Sequence, residues 1–299
     1  MNYIIHLAIY FAIYALLALS VNIVTGYCGF LSLSTSTYFA LGAYCYALIS
    51  VRLYPDILIA LVCASLLCVL SSFALSITSW KFRGDIFTFV SIALQVITFG
   101  LLYNWHSFAG KVGSISNLTN GPYGIANLPP PSLGGIALSS PAVLAVAALI
   151  VVAVAACLTV RIQASPYGRL LECIRDDEVA LRSLGKYTRN AKVTAFAVAC
   201  IFAGLSGVLY ACYARYVDPS LASFEDSLLA VAMVFVGGFG NLRGPLLGAG
   251  ILLVIPEILR LTPIQGSEAG NVRLLLYGLL LVWMVHFRPQ GIWGEYRVE

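Results

Sequence analysis

The sequence predicts an all-α, polytopic transmembrane helical bundle. It has about eight to ten spans, some interrupted or re-entrant, with the N-terminus outside and the C-terminus inside. Three observations carry that reading. Of 299 residues, 60% are hydrophobic and only 10% charged, with a mean hydropathy of +0.92. An ordinary soluble domain carries about 25% charged residues, so this chain has too little polar surface to face water all round, and lipid is the remaining solvent. Residues 1–51 contain no Asp, Glu, Lys or Arg. As one helix that run would be about 75 Å long at 1.5 Å per residue, against a hydrocarbon core of about 30 Å. It therefore folds back at least once, and Gly26-Tyr27-Cys28-Gly29 is the natural place. The third observation is the segregation of the basic residues, taken up below.

Nine apolar segments follow one another: about 3–25, 30–50, 57–79, 86–104, 139–160, 192–214, 225–237, 244–260 and 272–287. Met1-Asn2-Tyr3 offers no basic lead-in, and the apolar run behind it is too long for a signal peptide, so the first segment reads as a retained span. Lys81, Arg83 and Gly84 separate the third segment from the fourth. Residues 105–138 are rich in Gly, Pro, Ser and Asn and read as an extracytoplasmic loop. Residues 161–191 hold most of the charge and read as a cytoplasmic loop within a single transmembrane domain, 1–299. The seventh segment is short for a full span, which suits a re-entrant element.

Threading nine spans from an outside N-terminus puts 12 of the 17 basic residues on the cytoplasmic side. Only Arg52, Lys111, Arg215, Arg260 and Arg273 fall outside. That is the bias cytoplasmic loops carry. It also explains the net charge of +4 without nucleic acid. The eight cysteines form no C-x-x-C pair and read as small buried thiols, not a disulfide or metal framework. His6, His106 and His286 are far apart, so no metal site is expected. There is no G-x-x-x-x-G-K-[ST] loop for nucleotide phosphates and no G-x-S-x-G elbow. The chain reads as neither an ATPase nor a hydrolase. An integral-membrane enzyme would need a cluster of His, Asp or Glu at one membrane face, and the sequence suggests none.

One piece looks soluble. From Ser165 to Gly185, apolar residues recur at Leu170, Leu171, Ile174, Ala180, Leu181 and Leu184, much of it at helical spacing. Ser165-Pro166 suits a helix start and Gly185 a stop. The segment reads as a short amphipathic helix or helix pair. It is a solvated linker with i,i+4 pairs such as Glu178–Arg182, or a docking helix for a cytoplasmic partner. Glu172, Asp176, Asp177 and Glu178 argue against a helix lying on anionic lipid.

Two segments resist an ordinary helix. Residues 237–245 hold four glycines and a proline, which costs too much helix stability. Such backbone at membrane depth needs protein or a water-filled cavity beside it, and transporters build midplane sites from interrupted helices. Gly26, Gly29, Gly237, Gly238, Gly240 and Asn241 are therefore candidates for the translocation path, with plain cytoplasmic turns as the alternative. Asn22 and Gln95 join them as intramembrane polar groups. Glu257 and Arg260 suggest a structural ion pair, and Arg83 and Asp85 a local one. The pairs Gly204/Gly207 and Gly244/Gly248 suit close helix contacts, within the chain or between subunits.

Several of these runs share a resemblance. Leu19–Gly26, Phe39–Tyr44, Asn117–Ile125, Ala203–Gly207, Val236–Pro245 with Gly248-Ala249, and Phe287–Gly294 occur in an order similar to that of the LivM-type permease subunits of bacterial branched-chain amino-acid ABC importers. The likeness runs from about residue 15 to 294. Asn120 stands where that family has the first glycine of its Thr-Gly-Gly loop, and Glu178-Val179-Ala180 with Gly185 is a variant of its coupling signature. The resemblance implies that Gly168, Arg169, Arg175, Asp176, Glu178, Ala180 and Gly185 couple the spans to an ATP-binding subunit. Charge reversal at Glu178 or Arg175 is then expected to abolish uptake while the spans stay folded. It further implies a LivH-type permease, two cytoplasmic ATPases that bind ATP and Mg, and an extracytoplasmic binding protein, assembled in the bacterial inner membrane among its lipid. No cofactor is expected in this chain itself. Branched-chain or related amino acids are the implied substrates, with urea or short amides as relatives' cargo. A stand-alone secondary transporter or channel for a small polar solute would explain the interrupted helices equally well, but not the loop at 165–185.

Overall fold

The computed structural model describes residues 2–52, 54–82, 84–107, 113–114, 116–133, 136–137, 140–260, 267–288 and 290–294. The helices are α1 (Asn2–Val21), α2 (Thr35–Arg52), α3 (Ile57–Lys81), α4 (Asp85–Asn104), α5 (Pro141–Ala164), α6 (Pro166–Ser183), α7 (Thr188–Ala214), α8 (Phe224–Gly237), α9 (Arg243–Arg260) and α10 (Ser267–Phe287). Nine coincide with the nine apolar segments, and α6 is the amphipathic piece. A two-residue ladder, Ser132–Leu133 against Ile136–Ala137, is the one sheet among the described residues.

Five stretches are long and apolar enough to cross a membrane: Tyr3–Tyr27, Ile57–Lys81, Asp85–Asn104, Pro141–Ala164 and Thr188–Ala214. α3 shows how they do so. Leu58, Val62, Leu66, Leu70, Phe73 and Ile77 form an exposed stripe at helical spacing, while Ile57, Ala60, Ala64 and Cys68 face inward. α2 is less apolar because most of it is buried by other helices and never meets lipid. Its packing on α7 is backbone to backbone. A Cβ on Gly207 would stand 1.9 Å from the Phe39 carbonyl oxygen, and one on Gly42 would stand 2.0 Å from that of Gly204. Likewise a Cβ on Gly248 would stand 1.8 Å from the Met233 carbonyl oxygen, so α8 and α9 touch. Both small-residue motifs thus serve packing within the chain.

Two elements differ from expectation. The second segment starts at Thr35, not near residue 30. Residues 30–34 form no regular element, and other chain segments take up their hydrogen bonds. The Leu33 amide donates to Ser91 Oγ at 3.0 Å, and Thr88 Oγ1 donates to the Leu31 carbonyl at 3.0 Å. Protein thus satisfies the non-helical backbone. The seventh segment is helical over only 14 residues. That is about 21 Å, short of a core about 30 Å thick. A 3₁₀ turn at Pro219–Ala222 precedes it, and the Ala222 carbonyl accepts from Gln95 Nε2 at 2.9 Å, halfway along α4. The chain therefore reaches mid-span before α8 begins, and α8 completes the crossing as an interrupted span.

The nine segments alternate in direction. The beginning of α1 meets the ends of α7 and α9, through His6 Nδ1 with Tyr213 Oη at 2.6 Å and Tyr3 Oη on Glu257. The far end of α1 and the beginning of α9 lie against α6 and the end of α5. Arg52 and Arg215 end α2 and α7 on the face opposite α6. That face also carries the described part of 105–138. The loop folds back on the bundle, with the Ile125 amide on the Val217 carbonyl at 2.8 Å and Thr119 Oγ1 on the Leu102 carbonyl at 2.6 Å. Asn120 has φ +62, a left-handed conformation that asparagine adopts more readily than other non-glycine residues. This accounts for asparagine where glycine was expected.

Of the expected Glu257–Arg260 and Arg83–Asp85 pairs, Arg260 and Arg83 lie outside the described side chains, as do Lys111, Arg273 and Arg297. All eight cysteines are free. Cys28, Cys68, Cys200 and Cys212 are buried, but Cys157 and Cys173 are exposed, which corrects the reading of them all as buried thiols.

Candidate functional site

α6 is built from local signals. Ser165 Oγ accepts from the Gly168 amide at 3.2 Å, with Pro166 in the first turn. Gly168 allows the sharp turn out of α5, since a Cβ there would stand 2.3 Å from the Ile162 carbonyl oxygen. Leu171, Ile174 and Leu181 bury the apolar face. Asp177 breaks the helix in two at φ −154, ψ 99. Its carboxylate accepts from the Val179 and Ala180 amides at 2.8 and 3.0 Å, capping the second half. The break shifts the helical phase, so Ala180 and Leu184, expected on the apolar face, point outward. The end is a Schellman motif: the Gly185 amide donates to the Arg182 carbonyl and the Lys186 amide to that of Leu181. Gly185 supplies the required positive φ of +78 and has open space around it.

Glu178 lies underneath. It is 1% exposed and accepts from Lys192 Nζ at 2.7 Å, Arg182 Nη2 at 2.6 Å and Thr188 Oγ1 at 2.7 Å. The expected i,i+4 pair with Arg182 is present, but it is the outer part of a buried cluster. Lys192, fully buried, also donates to the Ser79 carbonyl at 3.0 Å and sits 4.7 Å from the centre of the Phe30 ring. One ion pair thus ties α6 and α7 to the end of α3. Burial also pushes the Tyr167 hydroxyl up to about 12, although its bond to Thr194 opposes the shift. It stays protonated and donates to the Ala191 carbonyl at 2.7 Å. A reversed charge at Glu178 would face the buried Lys192, so at this position packing of α6 and coupling are perturbed together.

Arg175 turns inward. Its Nη1 donates to the Gly26 carbonyl at 2.8 Å and its Nε to Asp176 at 3.1 Å. Gly26 belongs to a π-helical turn, Asn22–Tyr27, that ends α1. A cation is favourable there, where terminal carbonyls lack helical donors. Gly29, at φ +73, lets the chain pass beneath the arginine; a Cβ would stand 2.6 Å from Arg175 Cγ. Above it, Asn22 spans the two glycine-rich segments. Its Nδ2 donates to the Asn241 carbonyl at 2.9 Å, and its Oδ1 accepts from the Gly240 amide at 3.2 Å. Gln163 at the end of α5 donates to the Gly240 carbonyl at 3.2 Å. Asn241 Oδ1 accepts from the Gly244 amide at 2.7 Å, and its Nδ2 donates to the Trp293 carbonyl. Val236 and Gly237 pair with the tail, as the Ile292 and Trp293 amides donate to their carbonyls at 3.0 and 2.9 Å, and a Cβ on Gly238 would stand 2.3 Å from the Gly294 nitrogen.

Apart from Glu178 in its buried ion pair and Gly168 in the turn out of α5, the residues named from sequence fall into three places. Arg175, Gly26, Gly29, Asn22, Gly237, Gly238, Gly240 and Asn241 form one connected cluster. A cleft of about 230 Å³ opens beside it, lined by Gly29, Phe30, Ile174 and residues 175–178. Arg169, Asp176, Ala180 and Gly185 lie on the outer surface of α6. Gln95 stands apart, buried on α4. Around it lies a polar seam that sequence reading did not single out: Ser36 and Ser227 exchange bonds of 2.7 and 3.0 Å where α2 and α8 begin, and Ser91 is buried nearby on α4. Gln163 was also missed, and so was the role of Lys192. Lys192, a lone cation opening an apolar span, was the available signal. Among the described residues no three His, Cys, Asp or Glu converge as a metal site would require.

Comparison with known proteins gives this geometry a context. The family described as "Branched-chain amino acid transport system / permease component" matches residues 3–285. The high-affinity branched-chain amino acid transport system permease protein LivM of Escherichia coli (strain K12) is 30% identical over 94% of this chain and 67% of its own length. Its counterpart in Salmonella typhimurium (strain LT2) is 29% identical over the same shares. A probable branched-chain amino acid transport permease protein LivM of Methanocaldococcus jannaschii is 22% identical over 45% of this chain and 41% of its own. No solved structure matches. With nine apolar segments threaded in alternation and a family match over nearly its whole length, the chain belongs to the branched-chain amino acid transport permease family and is a multi-pass membrane permease, not an enzyme.

Proposed function

We propose that this chain is a permease subunit of an ATP-driven importer for branched-chain or related amino acids in the bacterial inner membrane. The observation that carries the reading is the double character of α6. It is pinned beneath the bundle by a buried ion pair, yet its outer surface is bare. Val179, Leu184 and Tyr187 are 69%, 77% and 86% exposed, among the exposed Arg169, Asp176 and Arg182. Apolar knobs ringed by charge suit a groove on a protein partner. The chain carries no phosphate-binding loop, so two cytoplasmic ATPases supply ATP and Mg binding, docked on α6. A LivH-type permease completes the membrane part, and an extracytoplasmic binding protein meets the loop 105–138. The translocation path follows the polar seam from Gln95, Ser36 and Ser227 to Asn22 and the Gly237–Asn241 loop, where the interrupted helices meet.

The test is gentle detergent extraction of the tagged chain from its own membrane, mass identification of its companions, and leucine uptake by the reconstituted complex. Recovery of a second permease and P-loop ATPases, with ATP-dependent leucine uptake, is the expected result. Uptake of urea or a short amide instead would revise the substrate. A homo-oligomer that transports without an ATPase would replace the reading with a stand-alone transporter.

A further inference from the structure

The π-helical turn at Asn22–Tyr27 is the irregular end of α1, held by bonds from two directions. π turns are rare, and they occur mostly as single-turn bulges at functional sites. This one is gripped from both sides. From below, Arg175 of α6 reaches its Gly26 carbonyl at 2.8 Å. From above, both polar atoms of the Asn22 amide are engaged by the backbone of Gly240 and Asn241. Nothing can intervene between the two grips. Gly26 is buried, and a Cβ on it would stand 2.3 Å from Asn22 Oδ1 and 3.1 Å from the Gly240 amide nitrogen.

A rigid contact at each end makes the turn a strut. The loop 238–241 joins α8 to α9 and touches no part of α6 through these bonds except by way of the turn and Gln163. If α6 shifts, the Gly26 carbonyl must follow the guanidinium or be left as an unpaired buried acceptor, which is unfavourable. Contiguous hydrogen bonds through a rigid element are what carry coupling between sites.

We propose that Arg175 and Asn22 are positioning residues of a mechanical relay, through which the π turn of α1 passes displacement of α6 to the 238–241 loop. The proposal rests on the reading above that α6 meets an ATPase. It assigns Arg175 to the inner side of the coupling helix, beneath the docking surface.

The experiment uses the full complex with its binding protein in proteoliposomes, and reads leucine moved per ATP hydrolysed alongside the yield of assembled complex. Arg175→Met keeps the stem over Gly29 and removes the donors. It is expected to lower leucine moved per ATP at least tenfold, with Arg175→Lys restoring part of the loss. Asn22→Asp keeps the acceptor for Gly240 and removes the donor to Asn241, and is expected to lower the same ratio in complexes that assemble. Should Arg175→Met fail to assemble, the Arg175→Lys and Asn22→Asp ratios decide. A wild-type ratio in the assembled variants, with uptake and hydrolysis falling only in step with assembly, would show a merely structural role and overturn the relay. A wild-type chain that purifies and transports without any ATPase would overturn both the relay and the importer reading.

Discussion

Glu178 sits on the most charged stretch of the chain, yet it is one of its most buried carboxylates. Three polar groups converge around it and its ammonium partner Lys192: Arg182, Thr188 and the Ser79 carbonyl. Breaking a buried pair by removing one partner costs about 3–5 kcal/mol, because the other charge stays buried and uncompensated, whereas replacing both partners by apolar groups can be neutral. Glu178→Gln and Lys192→Met should therefore each lower the thermal midpoint of the purified chain in detergent. The double variant should recover most of the loss. A double variant that melts as low as the sum of the singles would mean that the bonds to Arg182 and Thr188, not the charge pair, hold α6 in place.

At the scale of elements, the contact between α2 and α7 organises the bundle. Both helices are mostly buried, and their backbones meet at Gly42, Gly204 and Gly207 with no room for a methyl group. At Gly42 and Gly207 the obstructing atoms are backbone carbonyls, which cannot turn aside as the end of a flexible side chain can, while at Gly204 it is the Cys68 sulfur of α3. Overpacking of a well-filled core usually costs about 1–3 kcal/mol. Gly207→Ala should fall at the upper end of that range or beyond it, and Gly207→Leu should abolish recovery of monodisperse protein. Gly100→Ala is the control, because nothing lies within 4 Å of the Cβ it would add. Size-exclusion profiles of the three variants check this, and a monodisperse Gly207→Leu would show that the helices can separate without loss of the fold.

For the whole molecule, alternating traverses put α6 and the 105–138 loop on opposite faces, and the distribution of basic residues orients those faces in the membrane. Two exposed positions report on it. Cys173 lies on α6 and Ser116 in the loop. With Cys173 as the one cysteine left, a membrane-impermeant maleimide should label inverted vesicles and spare intact spheroplasts. With Ser116→Cys in a cysteine-free background the pattern should reverse. Labelling of both from the same side would refute the nine-segment threading, and an exact exchange of the two patterns would invert the orientation.

How much of this was legible in the sequence follows from the range of each interaction. The nine apolar segments, the break at 105–138 and the amphipathic helix with its Ser165 start and Gly185 stop all arise from neighbours in the chain. Hydropathy, capping and positive φ therefore marked them in advance. Asn120 was legible in part, as an odd residue in a glycine position whose left-handed backbone the structure then supplied. Where α2 begins was not legible, because Ser91 and Thr88, far along the chain, take the hydrogen bonds that would have continued a helix from residue 30. Nor was the destination of Arg175 and Glu178. Both stand in a polar helix that by composition faces water, and only the packing of α6 against α1 and α7 turns them inward. By itself the sequence determined that this protein spans a membrane many times and carries one polar helix beside the spans. The tertiary structure alone decided that Asn22 joins two glycine-rich segments more than 200 residues apart, because such contacts depend on which helix ends meet and leave no periodic trace in the chain.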